Sequence, residues 1–392
     1  MWDGRPDRPI CGHDDRVWLR PPSPTINMPT SSVATQTPAV TKTPATGDHS
    51  SSSIPSRPAE FGVHRQSVRS AMQSVYQPIA GPLSQVESRI AAELQSPYEA
   101  IGEVLRHGTQ LGGKRLRPAL VLLSAAAAGQ ITEDHIKLGA LIEMIHTATL
   151  IHDDVIDDAT TRRHVPTINA KFSGDASILL GDYLFAQAYG LAASLPTTDA
   201  AQAIAEAARL VCEGELRQVI ERDQFELEET AYIEMIRGKT AELCRVSCEL
   251  GVHYADPANT DLRRRLADFG DSVGIAFQIA DDYLDLWGDD QTVGKTLGTD
   301  LLQGKWTLPI IRLFQSSAPQ QQQYLRRVLT GTPEDRYDRI KPMLDAAGAQ
   351  RQTAAAAVAY RDRALAALST MVEGPVKSSL IAIAHFSVAR TF

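Results

Sequence analysis

Leu138-Gly139-Ala140-Leu141-Ile142-Glu143-Met144-Ile145-His146-Thr147-Ala148-Thr149-Leu150-Ile151 is apolar on nearly every side of a helical repeat. It runs with no intervening stop into His152-Asp153-Asp154-Val155-Ile156-Asp157-Asp158. A helix that is apolar all round belongs in the middle of a bundle, so the charges at its end carry the information. Asp153 and Asp157 are four residues apart and Asp154 and Asp157 three apart, which puts them on one helical face. Like charges at that spacing repel, and a shared divalent cation relieves the repulsion. Hard carboxylate oxygens suit Mg²⁺. The pattern returns as Asp281-Asp282-Tyr283-Leu284-Asp285 after a second apolar helical stretch, Ser272 to Ala280. With 28 aspartates in 392 residues, chance gives Asp-Asp-x-x-Asp about 0.14 times per chain, and two copies about once in a hundred such chains. One such cluster alone also reads as a solvated helix end.

Outward from these two stretches the helical pattern extends over residues 66–392, rich in Ala, Leu, Glu, Gln and Arg and without sustained two-residue alternation. Glycine and proline punctuate it at Gly112-Gly113, Pro166, Gly174, Pro196, Pro257, Gly288, Gly331 to Pro333 and Gly374-Pro375. That predicts about ten to twelve helices with short links, an all-α fold forming a single large antiparallel bundle. No fixed-period repeat suggests a solenoid.

The first sixty residues hold ten of the 22 prolines and six acidic against six basic side chains. Residues 1–65 therefore read as a disordered tail. Asp3, Asp7, Asp14 and Asp15 argue against a targeting peptide, which is poor in acidic residues. The chain carries 47 acidic and 39 basic side chains, a formal charge of −8, and no basic block, which argues against nucleic acid as its partner. Cys11, Cys212, Cys244 and Cys248 show neither disulfide nor zinc spacing, so a reducing, cytoplasmic setting is expected. The most apolar run, Pro118 to Ala128, is about half the length of a membrane span.

Basic residues supply the counterpart to the aspartates. Gly112-Gly113-Lys114-Arg115-Leu116-Arg117-Pro118 forms a glycine-permitted turn before a helix, from which Lys114 and Arg117 can meet a phosphate. Such a loop is also the ordinary make-up of a solvated connection. Arg162-Arg163, Lys239-Thr240, Lys295 and Lys305 are further candidates, and basic groups near acidic ones also read as simple ion pairs.

Taken together, Gly112 to Pro118, Ile145 to Asp157, Arg162-Arg163, Gly238-Lys239-Thr240 and Phe277 to Asp285 closely resemble the trans-prenyltransferases, or polyprenyl diphosphate synthases, in order and interval. The resemblance covers about residues 75–390. It implies an isoprenoid-synthase bundle around a central cavity. There an allylic diphosphate, farnesyl or geranyl, is bridged by about three Mg²⁺ held by Asp153, Asp157 and Asp281, with Asp154, Asp282 and Asp285 in support. Arg162, Lys239 and Lys295 neutralise the leaving diphosphate, Gln278 contacts it, and Thr240 and Lys305 complete its surroundings. Isopentenyl diphosphate is held by Lys114, Arg117, His146 and Arg163. His146 lies two helical turns before Asp153, on the same face; by itself it reads as a buried, hydrogen-bonded histidine.

The resemblance further implies a homodimer and an all-trans product of the kind that supplies quinone side chains, delivered to membrane enzymes. Thr149 and Ala148 precede Asp153 by four and five residues. Synthases of this type that stop at fifteen or twenty carbons place an aromatic ring at one of these positions. Small residues leave a tunnel open, with a floor near Met144, Ile145 or Leu141, and predict a product of about six to eight isoprene units. The alternative is that both are small because two helices cross closely. His164 stands where the family usually has glycine, and Ser387 to Phe392 lacks the family's basic ending. Competing readings are a shorter-chain farnesyl or geranylgeranyl synthase, a terpene cyclase or head-to-head synthase, and a non-catalytic partner subunit. The last two do not call for both the Lys114 anchor and two intact aspartate clusters.

Overall fold

The computed structural model describes residues 74–110, 113–162, 165–222, 227–288 and 297–389. The expected tail, residues 1–65, lies outside them, as do Gly112, Arg163, His164 and Lys295. The described residues belong to one unit, Ala59–Phe392.

Among the described residues fourteen helices of eight residues or more follow one another. They are α1 (Ala80–Glu93), α2 (Glu99–Gln110), α3 (Leu116–Ala127), α4 (Glu133–Ile156), α5 (Gly174–Ala193), α6 (Asp199–Ile220), α7 (Glu229–Ile236), α8 (Glu242–Ala255), α9 (Thr260–Trp287), α10 (Leu308–Ser316), α11 (Pro319–Leu329), α12 (Arg336–Ala346), α13 (Ala349–Ala367) and α14 (Pro375–Val388). The predicted stops fall where the helices end, and the all-α reading holds. The extra elements come from breaks outside the predicted glycine and proline punctuation, at residues 94–98, 128–132, 317–318 and 347–348. The only sheet among the described residues is a two-stranded antiparallel ladder, β1 (Thr161–Arg162) with β2 (Val165–Pro166).

The two aspartate helices are the central elements. In α4, Leu138 and Ala140 to Ile142 are fully buried and Met144 and Ile145 almost so. α4 is capped by Thr132, whose amide donates to Nδ1 of His135 at 3.0 Å. That leaves the other ring nitrogen to donate to the Gly251 carbonyl, 3.1 Å away, so a neutral imidazole ties the start of α4 to α8. α9 is the second spine. Its Leu266, Phe269 and Val273 pack in one apolar cluster with α3, α4 and α8, and its Ile275, Ile279 and Leu286 in a second with α7, α10 and α12. α8 and α9 run antiparallel, since His253 meets Arg263 at one end and Cys244 meets Gly270 at the other.

Candidate active site

α4 ends at Ile156. The amide of Asp157 still donates to the Asp153 carbonyl at 2.8 Å, and Asp158 then turns the chain away with a left-handed φ of 49°. This leaves three carboxylates at the helix end in different surroundings. Asp154 is buried and gripped by Arg162 of β1, with Nε and Nη2 at 3.0 and 2.8 Å from one oxygen. Asp157 meets Lys305 Nζ at 2.9 Å and Arg222 Nη2 at 3.4 Å. Asp153 is half-buried and faces the charges of Lys239 and Glu215.

Lys239 and Thr240 sit in a single π-helical turn, Arg237–Ala241, between α7 and α8. The wider turn is held by two close helix crossings. A Cβ on Gly274 of α9 would lie 2.4 Å from Ala241 Cα, and one on Gly214 of α6 would lie 2.7 Å from the Lys239 amide nitrogen. The adjacent side chains of this turn serve opposite clusters. Lys239 Nζ donates to Glu215 at 2.7 Å and to Gln218 Oε1 at 2.8 Å, beside Asp153. Thr240 donates to Gln278 Oε1 at 2.8 Å, and Gln278 Nε2 donates to Asp282 at 2.9 Å. The turn therefore links the two aspartate clusters.

In the second cluster Asp282 is buried and also accepts from the Tyr232 hydroxyl at 2.5 Å. Asp285 accepts from the amides of Thr299 and Asp300, each at 3.1 Å, so it fixes the following loop. Asp281 is exposed beside them. Burial pushes the Asp153 carboxyl up to about 7, against the pull of Lys239, and burial with the nearby Asp300 charge raises Asp282 and Asp285 to about 8. Burial alone would lower Lys239, but Asp153 and Glu215 hold it above its ordinary value. The folded chain thus binds these carboxyl protons more tightly than the unfolded chain, and its stability falls as pH rises between about 4 and about 8. Asp282→Asn keeps an acceptor for Tyr232 but turns an amide toward Gln278 Nε2, so its stability relative to wild type, whatever the constant offset, should rise progressively across that window. Thermal midpoints of the two proteins at about pH 5 and pH 8 check this; a relative stability that does not rise contradicts it.

Among the described residues no three His, Cys, Asp or Glu side chains cluster as a complete metal site. The donors of the two aspartate clusters are all carboxylate oxygens. That fits a cation that takes its remaining ligands from substrate phosphates, the usual way Mg²⁺ is bound.

The basic loop lies before α3. Arg115 adopts a left-handed conformation (φ 54°, ψ 35°) at the helix N-cap, which costs a non-glycine residue about 1–2 kcal/mol. Lys114 is exposed, its Nζ 4.2 Å from the centre of the Phe386 ring. Arg117 is half-buried, its Nε has no hydrogen-bond partner among the described residues, and its charge acts on the Cys244 thiol of α8. His146 is half-buried on α4. Among the tunnel candidates, Ala148, Ile145, Met144 and Leu141 are buried, while Thr149 is half-buried and donates to the His146 carbonyl at 2.8 Å. A cavity of about 20 Å³ lies beside Met144 and Thr147, against Leu105, Leu180 and Leu184.

Sequence reading thus finds both carboxylate clusters, Lys239, Thr240, Gln278, Arg162 and Lys305, and the fold gathers them. Arg162 and Lys305, expected to face a diphosphate, are paired with Asp154 and Asp157. Arg163 and Lys295 lie outside the described residues. The sequence reading misses Arg222, Glu215, Gln218, Tyr232 and Asp300. Their one signal was weak: Glu215, Gln218 and Arg222 recur at helical spacing along the end of α6 and just beyond it.

Residues 98–346 match the polyprenyl synthetase family. Octaprenyl diphosphate synthase of Escherichia coli K12 is 32% identical over 320 residues, 81% of this chain and 99% of the relative. Heptaprenyl diphosphate synthase component 2 of Geobacillus stearothermophilus is 42% identical over 241 residues, 61% of this chain and 75% of the relative. The crystal structure of a polyprenyl synthase from Caulobacter crescentus CB15, complexed with calcium and isoprenyl diphosphate, superposes with a TM-score of 0.76 at 33% identity, covering 82% of this chain and 98% of that one. An all-helical bundle with paired aspartate clusters thus defines a prenyltransferase. The chain belongs to the polyprenyl synthetase family.

Proposed function

We propose that this enzyme carries out the Mg²⁺-dependent head-to-tail condensation of isopentenyl diphosphate with an allylic diphosphate, giving an all-trans polyprenyl diphosphate of about six to eight isoprene units. The observation that carries it is the Lys239-Thr240 turn, whose cation faces the charge of Asp153 and whose hydroxyl reaches Asp282 through Gln278. Asp153, Asp157 and Asp281 would hold about three Mg²⁺, which would supply Lewis-acid stabilisation of the charge on the leaving diphosphate.

The rest falls to side chains. Lys239, Lys305 and Arg222 now face carboxylates, and an entering diphosphate takes over part of that pairing, so cations already in position stabilise the charge that grows as the carbon–oxygen bond breaks. Arg162 belongs to the same set through Asp154, and Lys295 by resemblance. Thr240 and Gln278 orient the second cluster, while Asp154, Asp282 and Asp285 hold the frame. Lys114, Arg117, His146 and Arg163 hold isopentenyl diphosphate, whose double bond attacks the allylic cation. The proton then lost passes to the released diphosphate. Medium or long product length is supported by the relatives named above and by the small Ala148 and Thr149.

Lys114→Ala and Arg117→Ala test the assignment. Each should weaken isopentenyl diphosphate about tenfold or more, the worth of one charge-assisted hydrogen bond, about 1.5–3 kcal/mol. KM for the allylic substrate should change far less; equal losses for both would contradict a dedicated anchor.

A homodimer is supported by exposed apolar residues on α5 and α6, such as Leu179 and Ile220, 67% and 68% accessible. The Geobacillus relative, named as component 2, favours a second reading in which the partner is a different subunit. Sedimentation of the purified chain alone separates the two. No described helix is long and apolar enough to cross a membrane.

A further inference from the structure

Arg115 stands between the two cations proposed to hold isopentenyl diphosphate, yet its side chain goes elsewhere. Nε donates to Glu87 of α1 at 2.8 Å and Nη1 to Glu143 of α4 at 3.0 Å. Glu143 is 3% exposed, and the Arg115 side chain 16%. The Arg115 carbonyl accepts the Ala119 amide at 3.0 Å, so the residue is also the first link of α3. One guanidinium therefore ties α1, α3 and α4 together, with a planar fork that a lysine cannot reproduce. Glu143 lies three residues before His146 and ten before Asp153 on the same helix.

The backbone agrees with the side chain. A left-handed residue costs free energy unless its surroundings hold it, and here two carboxylates do. The turn it makes sends Arg115 toward α1 and α4. Lys114 instead meets Phe386 of α14, and the charge of Arg117 acts on Cys244 of α8.

We infer that Arg115 is a positioning residue: its clamp on Glu143 and Glu87 sets where Lys114 and Arg117 stand relative to His146, and so sets affinity for the non-allylic diphosphate. This rests on the proposed isopentenyl diphosphate site. The clamp holds the loop to the helix that carries both His146 and Asp153, so loosening it displaces the anchor cations while leaving the aspartate clusters in register.

The test measures KM for each substrate, kcat and thermal midpoint for Arg115→Gln, Arg115→Lys, Arg115→Gly, Glu143→Gln, the Arg115→Gln/Glu143→Gln double variant, and Lys114→Ala. Arg115→Gln and Glu143→Gln should each raise KM for isopentenyl diphosphate about tenfold, with KM for the allylic substrate within about twofold of wild type. Arg115→Lys should recover part of the loss. The double variant leaves no buried charge unpaired and should be no worse than either single change, because both break one contact. Arg115→Gly frees the backbone but removes the clamp, and should behave as Arg115→Gln. Wild-type KM in Arg115→Gly, or a double variant that folds with unaltered KM, overturns the clamp, as does an equal loss for both substrates. If Lys114→Ala leaves KM for isopentenyl diphosphate unchanged, the site reading itself has failed; if it raises KM and the Arg115 variants do not, only the clamp has.

Discussion

Asp153→Ala and Asp281→Ala are each expected to lower turnover by about three orders of magnitude, roughly 4 kcal/mol in the barrier, with the fold intact. Asp153 lies opposite Lys239 and four residues from Asp157, at the end of the helix that frames the site. Removing its carboxylate takes away a cation ligand and, in the ligand-free protein, a burial penalty as well. Thermal stability should therefore hold or rise while activity collapses. Asp281 is exposed, so its loss should leave stability unchanged. Turnover and circular dichroism at saturating Mg²⁺ read both effects. Near wild-type turnover in either variant contradicts the pairing of the two clusters, and a loss of helix content would mean the carboxylate serves the fold.

Ala148→Phe should change the product rather than the rate. Ala148 is fully buried one turn before His152, whose imidazole lies against Gly181 and within 3.1 Å of the Ile178 carbonyl of α5. A ring at 148 is thus directed toward the packing between α4 and α5. If the growing chain runs along that side, the ring forms a floor about one isoprene unit per helical turn from the aspartates, and product length falls to about fifteen or twenty carbons. Thr149→Phe, on the half-buried face four residues before Asp153, is its companion, because overpacking a buried alanine can itself cost about 1–3 kcal/mol. A shortened product from either variant supports the tunnel. Two folded variants that both make the wild-type length contradict it and leave the close crossing of α4 and α5 as the reason for the small residue.

The aspartate clusters were legible because a helix turns sequence spacing directly into a shared face. The break before α3 was legible because glycine weakens a helix and proline is tolerated in its first turn; that Arg115 makes the left-handed turn was not. The partners of Asp157 were not. Arg222 and Lys305 lie 65 and 148 residues away in sequence, and only packing brings them to one carboxylate. The π-helical turn at Lys239 left no mark on the hydrophobic pattern, since it depends on glycines in two other helices, Gly214 and Gly274. Arg115 was visible only as one more basic residue in the loop. Its partners on α1 and α4 are each 28 positions away, and nothing in the spacing sets it apart from Lys114 and Arg117.

The most direct measurement incubates the purified chain with labelled isopentenyl diphosphate, farnesyl diphosphate and Mg²⁺ and separates the products by chain length. The account predicts linear all-trans products of about six to eight isoprene units, with incorporation abolished by a chelator and restored by added Mg²⁺. No incorporation by the chain alone, a cyclised product, or a chain that stops at twenty carbons or fewer would contradict it.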